Sequence, residues 1–306
     1  MNKHALNTTL TLVLAASILA WAGNAAAGSG GPDPDGLKLA SAAAAISDLD
    51  GGDPLFAKNA GRQRPIASIT KLMTAMVVLD SDRPLDDWVT IVRRKKDPPN
   101  NGYSRIRIGS QLRRGDLVRI MLMSSENLAA YVLASDYPGG RDAFVAAMND
   151  KARALGMNDS HFVGPSGLSP KNHSTAADLL KMVRAAYGYD AIREYTTTAY
   201  YRARFRKPHY TLAYGNTNPL VHSGRWKVEL SKTGYLNEAG RCLIMVTRVG
   251  GRSLAVVLLD SFGTRTPLGD AGRIKRWMKT GKSGPVAGAA RRYERRETEE
   301  WASASD

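Results

Sequence analysis

The pattern of apolar and polar positions predicts strands at both ends of the chain and helices in the middle. Two short strand-like runs, residues 42–48 and 55–58, flank a turn signal at residues 50–52 and predict a β-hairpin. Residues 69–80 are apolar on every side of a helix, which predicts a helix that is buried all round. Ser68 lies at the N-terminus of this predicted helix.

Helical periodicity dominates the middle of the chain, and strand-like runs return after residue 196. The chain then ends its ordered pattern with a predicted helix at residues 268–279. We therefore expect an α+β protein in which an antiparallel sheet is flanked by helices and a mostly helical subdomain lies beside it. The predicted boundaries are a signal peptide at 1–27, a flexible leader at 28–36, a sheet-containing α/β subdomain made of 37–80 and 196–280, a helical subdomain at 81–195 and a charged tail at 281–306.

The first 27 residues have the pattern of a secretory signal. A basic start precedes an apolar stretch at residues 10–22, and three alanines at 25–27 form a small-residue cleavage pattern. An uncut membrane anchor is the alternative, but the apolar stretch is shorter than the ~20 residues that a spanning helix needs. We therefore expect an exported protein with no stable membrane anchor after cleavage.

The formal net charge is +15 at pH 7, which attracts anionic partners. For an exported protein the expected partner is an anionic envelope polymer or a membrane surface, and no nucleic acid is expected. A solvated, arginine-rich surface without a partner is an equally good interpretation. The single cysteine, Cys242, lies in a predicted strand, where we expect a buried hydrophobic residue and not a nucleophile.

Three short motifs with catalytic potential occur in one order along the chain: Ser68-Ile69-Thr70-Lys71, Ser125-Glu126-Asn127 and Lys232-Thr233-Gly234. The first two types are each expected about once by chance in a chain of this length. The third type is rarer, so the joint occurrence indicates a site. Together the motifs predict a serine acyltransferase site in a cleft between the sheet and the helical block.

The residue types explain how such a site would work. Ser68 is a poor nucleophile without a base, and Lys71, one helical turn further on, lies on the same helix face. Lys71 accepts a proton near neutral pH only if burial and a second cation, Lys232, lower its pKa. The hydroxyl of Ser125 is expected to pass a proton between the lysines and the leaving amine, and the amide of Asn127 to hold substrate and orient Lys71.

The third motif is expected on an edge strand that faces the cleft. Lys232 and the hydroxyl of Thr233 would bind a substrate carboxylate, and Gly234 would allow close backbone approach. The backbone amides of Ser68 and Tyr235 are the expected oxyanion hole.

The trio of motifs is shared by penicillin-binding proteins and class A β-lactamases. Three longer strings make the similarity more specific: residues 122–127, 164–168 and 230–242. Over residues 40–279 the chain resembles the low-molecular-mass serine penicillin-binding proteins, and most of all their D-alanyl-D-alanine endopeptidase branch. The resemblance implies the penicillin-binding protein/β-lactamase-like transpeptidase fold, a periplasmic location, cleavage of peptide cross-links in peptidoglycan and covalent inhibition by β-lactam antibiotics.

Class A β-lactamases use a glutamate downstream of the second motif to hydrolyse their acyl-enzyme. This chain has no glutamate between Glu126 and Glu194, so we expect penicillin to remain on Ser68 for a long time. Related carboxypeptidases usually continue into a second β-rich domain and an amphipathic anchor, whereas here a charged stretch of only 27 residues follows residue 279. This favours an endopeptidase; a D-alanyl-D-alanine carboxypeptidase and a non-hydrolytic penicillin- and wall-binding protein are the alternatives.

Other polar residues give weaker signals. Ser166 lies in a Gly-Pro-Ser-Gly-Leu string that lacks the last glycine of a nucleophile elbow, so we expect a loop bordering the cleft. Four histidines outside the signal region show no zinc-ligand spacing: His161, His173, His209 and His222. No metal and no cofactor is expected.

Overall fold

The computed structural model describes residues 31–95 and 103–303, and its centre is one antiparallel sheet of five strands. From one edge to the other, the strands are β2 (Phe56–Lys58), β1 (Ala43–Asp48), β11 (Arg252–Ser261), β10 (Gly240–Val249) and β9 (Val228–Leu236). The predicted hairpin is present, because β1 and β2 pair with Ala45 opposite Ala57. β9 carries the third motif and is an edge strand, as expected.

Nine helices accompany the sheet in the described residues. In chain order they are α1 (Thr70–Leu79), α2 (Arg114–Met123), α3 (Asn127–Ser135), α4 (Gly140–Ala154), α5 (Ala176–Tyr187), α6 (Asp190–Thr197), α7 (Pro219–His222), α8 (Thr266–Thr280) and α9 (Gly288–Ser303). The helix expected to be buried all round is α1, and every one of its residues except Leu79 is buried. Such burial places the start of α1 in the interior, directly after Ser68.

Alternate residues of the central strands pack against different helices. In β11, Ala255 and Val257 face the larger core, which includes residues of α1 to α6. Leu254 and Val256 face the other way, towards α8 and the fully buried Trp277. Because both faces are covered, the central strands are apolar at nearly every position, and their sequence does not alternate with polar residues.

Six shorter strands form three antiparallel pairs: β3 (Arg64–Pro65) with β6 (His173–Ser174), β4 (Trp88–Thr90) with β5 (Gln111–Arg113), and β7 (Tyr200–Phe205) with β8 (Tyr210–Gly215). The block at 81–195 contains α2 to α5 and most of α6. The chain from Gly31 onwards forms one compact unit. The division of this unit into two subdomains stays a prediction.

The segment expected to be a flexible leader, residues 28–36, has regular structure near its end. Pro34–Gly36 is a 3₁₀ turn, and the indole N–H of Trp277 donates to the carbonyl of Asp33 at 2.8 Å. This contact ties the start of the described chain to α8.

The stretch expected to be a charged tail, residues 281–306, contains α9. Glu294 pairs with Lys58 at 2.8 Å, and the guanidinium of Arg64 lies 3.5 Å from the ring centroid of Trp301. The charges of α9 are therefore matched by charges on the neighbouring strands, which explains how so polar a segment packs as a helix.

The predicted signal peptide lies outside the described residues. Across residues 31–95 and 103–303, no helix is both long and apolar enough to cross a membrane.

Candidate active site

Ser68 lies in a 3₁₀ turn, Ala67–Ile69, that leads directly into α1. Ala67 has a left-handed backbone with φ +47°, which is unfavourable for a residue with a Cβ and is tolerated where the surroundings hold it. The turn is held from both sides, because Ile66 and Ile69 are fully buried and the Ile66 amide donates to the carbonyl of Asn172 at 3.1 Å. Ser68 is thus presented from a rigid support.

Lys71 is fully buried one helical turn after Ser68. Its Nζ lies within hydrogen-bond distance of three oxygen atoms, Ser68 Oγ at 2.8 Å, Asn127 Oδ1 at 2.7 Å and the carbonyl oxygen of Ser166 at 2.5 Å. The three acceptors come from three separate parts of the chain and are all uncharged. They fix the amine beside the serine hydroxyl without an ion pair.

The pKa of Lys71 is lowered well below its ordinary value, mainly because burial disfavours the charged amine. The charges of Lys232 and Arg94 lower this pKa further, whereas Glu126 raises it. A lysine that is neutral near physiological pH can accept a proton from a hydroxyl. Burial and Lys232 are the two causes that the sequence predicted.

Ser125 lies in the short connection between α2 and α3, with a left-handed backbone of φ +59°. The next residue, Glu126, caps α3 by accepting a hydrogen bond from the amide of Leu128 at 3.0 Å. This geometry directs the Ser125 hydroxyl to Lys232, whose Nζ donates to it at 3.0 Å. The second and third motifs are therefore in direct contact.

Lys232 is almost fully buried on β9, and burial lowers its pKa to about 7. Its neighbour Thr233 shares a hydrogen bond with the hydroxyl of Thr217 at 2.6 Å. A Cβ on Gly234 would lie 3.2 Å from the amide nitrogen of Ser68, tighter than most contacts of real side chains. The edge strand therefore approaches the nucleophile turn closely, as expected for this glycine.

A cavity of about 480 Å³ opens over these residues. Six of the eight predicted site residues line it: Ser68, Ser125, Asn127, Thr233, Gly234 and Tyr235. The other two, Lys71 and Lys232, are buried and hydrogen-bond to Ser68 and Ser125, respectively. The structure thus brings all eight residues together.

Sequence reasoning missed several groups in the site. The carbonyl of Ser166 contacts Lys71, so the loop predicted to border the cleft is one of its walls. Gly167 in this loop has φ +74°, and a Cβ there would lie 1.9 Å from the Ala67 carbonyl oxygen, which excludes a side chain. Arg241 also lines the cavity, with its guanidinium 3.8 Å from the ring centroid of Tyr235. Gly164 and Gly167, on either side of Ser166, are the sequence signal from which this loop could have been predicted.

Cys242, the alternative nucleophile, and the histidines, considered as metal ligands, do not line the cavity that contains Ser68. Cys242 is buried, and burial raises the pKa of its thiol to about 12. His161 and His173 are neighbours in an antiparallel bridge. In the part of the chain that the structure describes, no group of three or more His, Cys, Asp or Glu residues is placed to hold a metal ion.

Comparisons with known proteins identify the family of this chain. Residues 31–263 match the family model Peptidase_S11, described as D-alanyl-D-alanine carboxypeptidase. A D-alanyl-D-alanine endopeptidase of Pseudomonas aeruginosa is 44% identical over 296 residues, which cover 95% of this chain and 94% of that protein. A D-alanyl-D-alanine endopeptidase of Escherichia coli is 44% identical over 267 residues, which cover 87% and 86%, respectively.

Solved structures show the same fold. The DD-transpeptidase of Streptomyces K15 superposes with a TM-score of 0.73 at 27% identity, over 79% of this chain and 98% of that chain. Penicillin-binding protein D2 of Listeria monocytogenes, in its ampicillin-bound form, gives a TM-score of 0.68 at 28% identity, over 80% and 98%. The expected penicillin-binding protein fold, an antiparallel sheet flanked by helices, is confirmed.

Proposed function

Because the chain belongs to the Peptidase_S11 family of serine peptidases, we propose that it is a D-alanyl-D-alanine endopeptidase that hydrolyses peptide cross-links in peptidoglycan through an acyl-enzyme on Ser68. The observation that carries the proposal is the hydrogen bond between the Ser68 hydroxyl and the buried Lys71 amine at 2.8 Å. Two relatives that are 44% identical and of similar length bear the endopeptidase name, which supports the choice of cross-links as substrate.

In the acylation step, neutral Lys71 accepts the Ser68 proton while Ser68 Oγ attacks the carbonyl of the D-alanine that forms the cross-link. The new C–O bond forms, and the oxyanion is held by the backbone amides of Ser68 and Tyr235. One such donor is typically worth about 3–4 kcal/mol of barrier. The approach of Gly234 to the Ser68 amide supports the pairing of these two amides.

The C–N bond then breaks, and the proton passes to the leaving amine through Ser125. The hydrogen bond between Lys232 and Ser125 supports this relay, because it holds the Ser125 hydroxyl next to a buried amine. Lys232 and Thr233 hold a carboxylate on the leaving arm, and Asn127 keeps Lys71 in place. Water then attacks the ester, its proton returns through Lys71, and Ser68 is released.

Penicillin acylates the same serine and stays bound. The loop at residues 163–172, which contributes the Ser166 carbonyl, contains no aspartate or glutamate. No carboxylate of this loop is therefore available to activate a water on the penicilloyl ester. The protein acts in the periplasm, to which residues 1–27 direct its export, and the net charge of +15 favours an anionic wall as its surroundings.

The proposal is tested by incubating the protein with cross-linked muropeptide dimers and, separately, with a pentapeptide monomer, followed by mass spectrometry of the products. Conversion of dimers to monomers with little release of terminal D-alanine supports the endopeptidase. Release of D-alanine alone would instead make the protein a carboxypeptidase. The Ser68→Ala variant is the control and should leave both substrates intact.

A further inference from the structure

A second cavity, of about 570 Å³, adjoins the one that contains Ser68. The two cavities share Asn127. Six lining residues give the second cavity its character: Arg94, Lys95, Asn127, Tyr131, Arg141 and Ser166. They come from the segment after β4, from α3, from the start of α4 and from the loop that borders the cleft.

This second cavity is positively charged. Arg94, Lys95 and Arg141 line it, and no carboxylate does so among the residues that the structure describes. Tyr131 contacts two of the three residues: its hydroxyl accepts a hydrogen bond from the backbone amide of Lys95 at 3.2 Å, and the Arg141 guanidinium lies 5.6 Å from its ring centroid. The cavity therefore offers positive charge around one aromatic wall.

The position of this cavity relates it to the substrate. Asn127 and Ser166 line it, and both also hold Lys71. A peptide cross-link extends in two directions from the bond that is cleaved. Under the proposed function the leaving arm lies towards Thr233, in the first cavity, so the acyl-donor arm leads past Asn127 into the second.

We propose that the second cavity is a subsite for a carboxylate on the acyl-donor peptide, carried by the residue that precedes the D-alanine under attack. The carboxylate is held by Arg141 and Lys95, with Arg94 adding to the positive field. The proposal rests on the proposed function for the direction of the peptide. It makes this carboxylate a determinant of substrate choice that is separate from the one read at Thr233.

The test compares two cross-linked peptides that differ only at the residue before the D-alanine of the cross-link. One carries a free side-chain carboxylate on the preceding residue, and the other carries the primary amide at the same place. Binding is measured with the full-length Ser68→Ala protein, so that neither peptide is consumed. Partly exposed charge pairs give modest energies, so we expect the carboxylate peptide to bind roughly 5–10-fold more tightly at low salt and the preference to shrink as salt is added.

The preference is then measured in the same protein with Lys95→Gln and Arg141→Gln added. Both side chains are exposed, so the fold should tolerate the changes. The matched control carries Arg153→Gln and Lys279→Gln, which remove the same charge from exposed positions outside both cavities. Arg94 is left unchanged, because its charge acts on the pKa of Lys71.

We expect the cavity variant to lose most of the preference, with the remainder due to Arg94, and the control to keep the full preference. Equal binding of the two peptides by the parent protein, or a full preference in the cavity variant, would overturn the proposal. Acylation of the unmutated protein by labelled penicillin is recorded in parallel. A failure there would count against the serine mechanism, whereas the binding comparison would still decide the role of the cavity.

Discussion

Buried charge is treated in opposite ways in two regions of this protein. At the junction of the N-terminal segment with α8, Asp270 is fully buried and surrounded by donors. It accepts from the amides of Ala40 and Ser41 at 3.0 and 2.8 Å, from the Ser41 hydroxyl at 2.6 Å and from Arg273 at 2.9 Å. In the cleft, Lys71 and Lys232 form hydrogen bonds only with uncharged oxygen atoms.

The difference separates a structural charge from a reactive one. A buried carboxylate with several donors and a cation is stabilised in its charged form, so it holds its neighbours in place. A buried lysine without a carboxylate partner is stabilised in its neutral form, which is the form that acts as a base. The cleft thus gives up stability to obtain reactivity, and four predictions test this contrast.

The largest effect is expected for Lys71→Met. The substitution removes the base, so the rate constant for acylation by penicillin should fall by about 10³-fold or more. The apolar side chain suits the buried site, so the free energy of unfolding should rise by about 1–4 kcal/mol. Stopped-flow acylation and denaturant titration measure the two quantities. A variant that acylates within tenfold of the unmutated rate would remove Lys71 from its role.

Lys232→Met should also stabilise the protein, with a pH dependence set by the lowered pKa. Keeping a lysine at a pKa of about 7 instead of its ordinary value costs folding roughly 4 kcal/mol at pH 7. Between pH 7 and about 10 the unfolded chain binds more protons than the folded one, so this cost shrinks as the pH rises. The stability gain of the variant should therefore be largest at and below pH 7 and nearly vanish at about pH 10. A gain that does not depend on pH would contradict the assignment.

Asp270→Asn should have the opposite profile. Loss of the charge weakens four hydrogen bonds at once, and we expect the free energy of unfolding to fall by about 2–4 kcal/mol. The acylation rate should change by less than about threefold, because Asp270 contacts none of the site residues. Asp150→Asn, at an exposed ion pair with Arg153, is the control and should cost less than about 1 kcal/mol. Unchanged stability of the Asp270 variant would break the contrast.

The smallest effect is the pH dependence of acylation. If the charge of Lys232 assists substrate capture, the second-order rate constant for a carboxylate substrate should decline severalfold above pH 7, as Lys232 loses its proton. On the acid side the rate should fall when Lys71 becomes protonated. Lys232→Arg, which stays charged, should flatten the alkaline decline. An alkaline decline that persists in this variant would assign it to another group.

The predictable part of the fold rests on local signals. The turn at residues 50–52, the apolar run of α1 and the cap of α5 by Thr175, which accepts from the Asp178 amide at 3.1 Å, each act over a few residues. That the eight predicted site residues lie together could be foreseen from the three motifs, because the chemistry requires such groups at fixed short spacings.

The remaining features depend on contacts between distant segments. The Ser166 carbonyl is a backbone group, which every residue has, so composition does not reveal its contact with Lys71. The docking of α9 depends on Trp301 meeting Arg64, which is more than two hundred residues away in sequence. A highly charged segment is usually solvated, and α9 packs because contacts with distant residues, such as this one, hold it.

The central claim is that Ser68, activated by Lys71, is the residue that becomes acylated. The most direct test is to incubate the protein with penicillin, digest it and locate the adduct by mass spectrometry of the peptides. The account predicts a single penicilloyl adduct on Ser68 and none in the folded Ser68→Ala variant. An adduct on another residue, or no adduct on the folded unmutated protein, would contradict it.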